Sequence, residues 1–349
     1  MANVPSSAAE TVDARRRVGI IHDMRSVARR VVSAAVLFWI VLTLTFFLVR
    51  AAPGDPASLL IAPSASASDA ARLRAELGLD APVAEQYARW AGGLLKGELG
   101  ESFTLRRPVV EILLEALPLS LLLGIASLLL TFIIGISVGA YQAANLGGKR
   151  DVGLTVLTTA VYAAPSFWLA LSLIAVFTYG AARWGFPQWL RLPAFGVRDP
   201  ASNATGFSAF YDVARHAILP VATLAAIGAA GIARYTRTIV ADLAGLLFVR
   251  AARAKGVSTG GVFLKHVLAN ALPPLVVLFA LAFPGILAGS VFVEGVFAWP
   301  GMGRAMLTAI AARDYPVILG ATVLYSALVI TANFVADLAL PWLDPRRRS

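Results

Sequence analysis

Six stretches of predominantly apolar residues, at 32–49, 119–141, 152–179, 217–232, 273–293 and 317–340, set the terms for what this 349-residue chain can fold into. A helix needs about 20 mostly apolar residues to cross the hydrocarbon core of a bilayer. Inside lipid a backbone must satisfy its own hydrogen bonds, and a helix does so within one segment. Hydrophobic residues make up 58% of the chain and charged residues 14%, whereas soluble domains carry about a quarter charged residues. Lipid is therefore the solvent for most of the chain, and the expectation is an all-α, polytopic membrane protein with six transmembrane helices.

The formal charge of +10 is explained by its distribution. Segments expected on the cytoplasmic side hold 17 Lys/Arg against 6 Asp/Glu, those expected outside hold 13 against 12, and the spans themselves hold only Glu294 and Asp337. This is the positive-inside asymmetry of an inner-membrane protein, and it calls for no nucleic-acid partner. Arg15, Arg16, Arg17, Arg25, Arg29 and Arg30 precede the first span and should hold a cytoplasmic N-terminus (1–31) inside. An even number of spans returns the tail (341–349), with Arg346, Arg347 and Arg348, to the same side. The rival reading of 32–49 is a cleaved signal peptide. Its apolar run exceeds the usual 7–15 residues of a signal-peptide core, so an anchor helix is expected.

Between the first two spans lies an outer segment, 50–118, with local structure of its own. Ser66 to Asp69 offers acceptor side chains and Gly78 closes the run 68–78, Pro82 should start a second helix through Trp90 and Leu95, and Pro108 a third with Val109, Ile112, Leu113 and Leu117 as its apolar face. Such amphipathic pieces suit the outer membrane surface or the outer mouth. Five spans follow in 119–340. Trp184 and Trp189 read as interfacial anchors.

The polar stretch between the fourth and fifth spans is the most informative. Arg250, Ala251, Ala252, Arg253, Ala254 and Lys255 would make about one and a half turns of helix, and Gly256 is the residue type that ends a helix in the left-handed conformation. The run resembles the cytoplasmic "EAA" loop of the permease subunits of ATP-binding-cassette (ABC) importers, with Arg250 at the glutamate position, a departure shared by the dipeptide and oligopeptide branch of that family. Further motifs in order carry the same resemblance: Pro53-Gly-Asp-Pro56, Gly97-Glu-Leu-Gly100 with Ser102, Ala164-Pro-Ser-Phe-Trp168, the run from Val293 to Arg304 containing Phe297-Ala-Trp-Pro-Gly301, and Arg313-Asp-Tyr-Pro316.

The resemblance implies the type I permease fold of ABC importers and transport of dipeptides, oligopeptides or a related solute, with nickel, glutathione and sugars as alternatives within the family. It implies a homologous second permease subunit, two ATP-binding subunits, and a periplasmic or lipid-anchored solute-binding protein. ATP and Mg would sit on the ATP-binding partners, with no cofactor or metal on this chain. Residues 250–256, within a coupling loop at 234–266, would dock on an ATP-binding subunit, the small Ala251, Ala252 and Ala254 allowing close approach and Arg250, Arg253 and Lys255 offering charge-assisted contacts.

Other polar residues carry weaker expectations. His266 reads as a structural residue between loop and helix, Pro273-Pro274 should bend or restart the helix entering span five, and Pro165 should kink span three. Glu294 and Asp337 are open to two readings, interhelical pairing or a place in the transport pathway. Arg304 and Asp314 could pair with each other or meet a binding protein. An ion-coupled carrier is the alternative from another class and would need Glu294 or Asp337 to titrate. A membrane enzyme is disfavoured, since there is no cysteine, no phosphate loop for ATP and no nucleophile–base or metal-ligand pattern.

Overall fold

The computed structural model describes residue 29 and residues 31–61, 66–203, 205–282, 285 and 290–343, with the backbone alone at 58 and 337–343. The basic stretch before residue 29, the tail from 344 and the Asp337 side chain lie outside the described residues. Six helices among the described residues are long and apolar enough to cross a membrane, as the six apolar stretches predict.

The described residues fall into two compact units, divided between Pro53 and Gly54. The first contains helix α1 (Val31–Ala51), in which the Arg50 guanidinium lies 5.5 Å from the centre of the Phe46 ring, a cation–π contact at the polar end of an apolar helix.

The second unit opens at Gly54, within the Pro53-Gly-Asp-Pro56 motif. Asp55 accepts the Ala57 N–H at 3.1 Å and so caps the short α2 (Pro56–Leu60), whose first residue is proline. Asp55 is also bonded by Arg74 at 2.7 Å, which ties α2 to α3 (Ala67–Glu76). The Arg313 guanidinium fills the space that a Cβ on Gly54 would need, and Gly54 has φ +107. The motif is therefore a packing site as well as a turn. Ser66 and Asp69 form a capping box at the start of α3, and Gly78, at φ +66, ends it. Helix α4 (Val83–Leu95) starts behind Pro82, as expected.

The helix foreseen behind Pro108 is not a third surface piece. It is the beginning of α5 (Val109–Ala144), 36 residues with Pro118 inside, about 54 Å long. Pro118 removes one backbone donor, and a helix surrounded by neighbours carries that loss without ending.

Helix α5 packs along α8 (Gly206–Ala244), a 39-residue helix with Pro220 inside. The expected fourth span, 217–232, is only its middle; the flanks were obscured by polar residues such as Asp212, Arg234 and Arg237. Small residues let the two backbones close up: a Cβ on Gly135 would come within 2.6 Å of Ile232, one on Gly139 would collide with the Ala233 carbonyl, and one on Gly228 would come within 2.7 Å of the Thr131 hydroxyl.

The third crossing is two helices rather than one kinked helix. Helix α6 (Lys149–Ala163) stops at Ala164, which is extended at ψ 133, and Pro165 begins α7 (Ser166–Arg183). A residue before proline is pushed out of the helical region, so the break falls where the sequence placed a bend. The fifth span begins earlier than expected, as α10 (Thr259–Ala282). Ser258 caps it by accepting the Gly261 N–H, and Pro273-Pro274 lie inside it rather than at its start. A π-helical stretch, Val262–Leu268, precedes the prolines, and the Asn270 side chain donates to the His266 carbonyl at 2.6 Å. The chain continues through α11 (Val291–Val296) and α12 (Met302–Ala312) to the last span, α13 (Tyr315–Leu343).

Candidate functional site

The loop singled out in the sequence is a helix, α9 (Leu247–Ala254), joined to the end of α8 by Gly245 and Leu246 alone. Its last turn is closed by three backbone bonds, Lys255 N–H to Ala251 O at 3.1 Å, Gly256 N–H to Arg253 O at 3.0 Å and Val257 N–H to Ala252 O at 3.3 Å. Gly256 has φ +80 and open space where a Cβ would stand. Backbone conformation rather than crowding makes glycine the favoured residue there.

The helix has two faces. Val249 and Ala252, three apart, are buried against Val240 of α8 and Val262, Val267, Ala271 and Leu275 of α10. Arg250, Ala251, Arg253, Ala254, Lys255 and Gly256 are exposed, as are Leu247 and Phe248 just before them. Ala252 thus belongs to the inner face, and the outer face presents three cations beside two large apolar side chains. Leu247, 79% exposed, is an addition that spacing alone did not single out; its signal is a bulky apolar residue directly ahead of a basic run. His266 and Asn270 sit on α10, outside this face.

Next to α9, the turn joining α5 to α6 is tied to α8. Asp151 is 1% exposed and receives a side-on pair of bonds from Arg237, Nε to Oδ1 and Nη2 to Oδ2, both 2.7 Å. The Gly147 N–H adds a third at 2.9 Å. No local sequence signal pairs residues that are 86 positions apart.

At the opposite end of α5, Glu294 is fully buried and its carboxylate is an acceptor for four groups. Ser120 and Ser290 hydroxyls donate to Oε1 at 2.7 Å each, and the Gly303 and Arg304 N–H groups donate to Oε2 at 2.7 and 3.3 Å. Ser120 in turn accepts the Met302 N–H at 2.8 Å. The first turn of α12 is therefore capped from a distance. Gly301 and Gly303 are small because the Glu294 carboxylate and, for Gly303, the α11 backbone stand where their Cβ atoms would be. Trp299, fully buried, donates its Nε1–H to the Leu119 carbonyl at 3.1 Å. The Phe297–Gly301 motif and Glu294 are one structural cradle, the arrangement that the interhelical reading of Glu294 expects.

Arg304 and Asp314 do not pair. Arg304 donates to the Ala298 carbonyl at 2.7 Å. Asp314 accepts from the Ser102 hydroxyl at 2.6 Å, the Thr104 hydroxyl at 2.7 Å and the N–H groups of Phe103 and Thr104 at 3.1 and 3.0 Å. It pins the loop after Gly97-Glu-Leu-Gly100 to the start of α13. Among the described residues no group of three His, Cys, Asp or Glu side chains is arranged to hold a metal ion.

Residues 132–349 match the model of the family described as "Binding-protein-dependent transport system inner membrane component", and residues 23–124 match the model of the N-terminal part of such components. The oligopeptide transport system permease protein AppB of Bacillus subtilis is 36% identical over 321 residues, covering 92% of this chain and 98% of its own. The di/tripeptide transport system permease protein DppB of Pseudomonas aeruginosa is 36% identical over 338 residues, with the same two coverages. Among solved structures, the MetNI methionine ABC transporter in inward-facing conformations aligns at TM-score 0.48 and 17% identity, over 67% of this chain and 97% of that one. With a family model spanning more than half its length and relatives 36% identical over 92% of it, the chain belongs to the inner-membrane components of binding-protein-dependent transport systems.

Proposed function

We propose that this chain is one of two permease subunits of an ATP-driven importer for dipeptides, oligopeptides or a related small solute, and that α9 is the element gripped by an ATP-binding subunit. One observation carries the reading: α9 offers Leu247, Phe248, Arg250, Arg253 and Lys255 outward while Val249 and Ala252 fasten its other side to α8 and α10. A helix that is free on one face and packed on the other converts a push from a partner into motion of whole spans. The peptide class is supported by the names of the relatives. ATP and Mg belong to the partners, which also include a second homologous permease and an outer solute-binding protein, and the N- and C-termini lie inside with α9. An ion-coupled carrier is less well supported, because Glu294 is committed to four donors within the fold.

The absence of cysteine from the chain makes a clean test available. A single cysteine at Ala254, on the exposed face of α9, should cross-link to an ATP-binding subunit in native membranes, and one at exposed Leu105 should not. Equal capture from both positions, or capture from Leu105 alone, would overturn the assignment of α9.

A further inference from the structure

Helix α6 is held to the bundle in an unusual way. Of its fifteen residues only Asp151 and Thr158 are buried, and the apolar residues Leu154 and Val161 on the same face are only half-buried, a thin apolar face for attachment. Its closest attachments are polar. Asp151 is clasped by Arg237 of α8 at 2.7 Å through two bonds, Thr155 accepts from the fully buried Gln142 of α5 at 3.0 Å, and Tyr162 lies 5.0 Å beneath the Arg234 guanidinium of α8. The other end of α6 is the non-helical step at Ala164 and Pro165.

Arg237 stands ten residues ahead of Leu247, the first residue of α9, and the two helices are separated only by Gly245 and Leu246. The cluster of Val240, Val249, Ala252 and Val262 makes the end of α8 and the whole of α9 one packed body with the start of α10. Side-on arginine–carboxylate pairs fix orientation as well as distance. The pair therefore offers a stiff, oriented link between the α8–α9 body and the first turn of α6.

We propose that the Asp151–Arg237 pair makes α6 follow the coupling helix, with the Ala164–Pro165 break as the hinge about which α6 swings. Asp151 and Arg237 are then positioning residues for transport, acting through α9 and α6 without touching solute. This rests on the importer reading above.

The test uses the complete importer, reconstituted with its ATP-binding subunits and solute-binding protein, with spin labels on cysteines placed at exposed Lys149 and exposed Thr238. In the parent complex the distance distribution between the labels stays the same in nucleotide-free and ATP-trapped states, since both ends of the pair move together. With Asp151→Asn, a nearly isosteric change that weakens the clasp, the distribution shifts or broadens on ATP binding. Solute imported per ATP hydrolysed then falls about tenfold, the scale of one lost charge-assisted hydrogen bond. Arg237→Lys, which keeps the charge and loses the fork, gives a smaller fall in the same ratio and serves if the asparagine variant does not assemble. A label distance that already changes in the parent, or uptake and hydrolysis that decline together at constant ratio, would overturn the proposal and leave the importer reading intact. A parent complex that takes up solute without ATP would overturn the importer reading, and the proposal with it.

Discussion

The carboxylate of Glu294 lies 2.7 Å from the backbone N–H of Gly303, so that a side chain from one short helix completes the first turn of the next. Ser120 closes the arrangement from α5, donating to Glu294 and accepting from Met302. Two consecutive short helices and the distant α5 meet on one buried carboxylate, and the intervening Trp-Pro-Gly-Met-Gly run is shaped to admit it.

Removing that charge should damage the fold before it damages chemistry. Glu294→Ala leaves two N–H groups and two hydroxyls without their acceptor in a dry site, a loss of about 3–5 kcal/mol. Glu294→Gln keeps an acceptor oxygen and should cost less. Thermal unfolding of the purified complex ranks them as parent, glutamine, alanine. Glu294→Gln combined with Asp337→Asn should keep uptake in proportion to assembled complex. Lost uptake in a complex that assembles and retains ATPase stimulation would favour an ion-coupled role.

Gly256 tests the end of the coupling helix. At φ +80 with open space around the missing Cβ, Gly256→Ala should cost about 1–2 kcal/mol of local strain, and Gly256→Val more, because a β-branched side chain is a severe outlier there. The expected result for valine is continued ATP hydrolysis with uptake greatly reduced. Uptake per ATP equal to the parent would show that the turn is not needed for coupling.

The α5–α8 contact predicts a contrast between two glycines. Gly139→Ala drives a methyl into the Ala233 carbonyl and should lower the thermal stability of the chain in detergent by the equivalent of about 1–3 kcal/mol. Gly153→Ala, in α6 with nothing within 4 Å, should be neutral or stabilising by up to about 1 kcal/mol. A reversed order would mean that the two helices do not pack through this face.

Asp314 should govern the loop it holds. Asp314→Ala releases the hydroxyls of Ser102 and Thr104 and two N–H groups, and trypsin cleavage of the neighbouring Arg106–Arg107 bond should accelerate at least about tenfold, the loss of one charged hydrogen bond; the bond after Arg107 precedes Pro108 and resists trypsin. Unchanged digestion would show that other contacts hold the loop.

What the sequence made legible follows from which signals are local. Hydrophobic run length located the six spans, and Gly256, Gly78 and Pro165 marked real ends or breaks, because a φ preference belongs to one residue and needs no partner. Span limits were missed where polar residues lie on long helices: Arg234 and Arg237 extend α8, and Lys265 and Asn270 belong to α10. The prolines at 118, 220, 273 and 274 did not end their helices, since neighbouring helices supply what a lone helix lacks. The face of α9 was half legible: the basic run stood out, whereas the inward turn of Ala252 depends on its packing against Val240 and Val262. Asp151 with Arg237, and Glu294 with Ser120, were invisible because their partners are remote in sequence.

The most direct measurement of the central claim is to purify this chain gently from native membranes by a C-terminal tag, identify what accompanies it by mass spectrometry, and assay the recovered assembly in vesicles. A second permease and ATP-binding subunits should be recovered in the assembly, with solute uptake that requires ATP. A chain that purifies alone and transports in vesicles without ATP would contradict that claim.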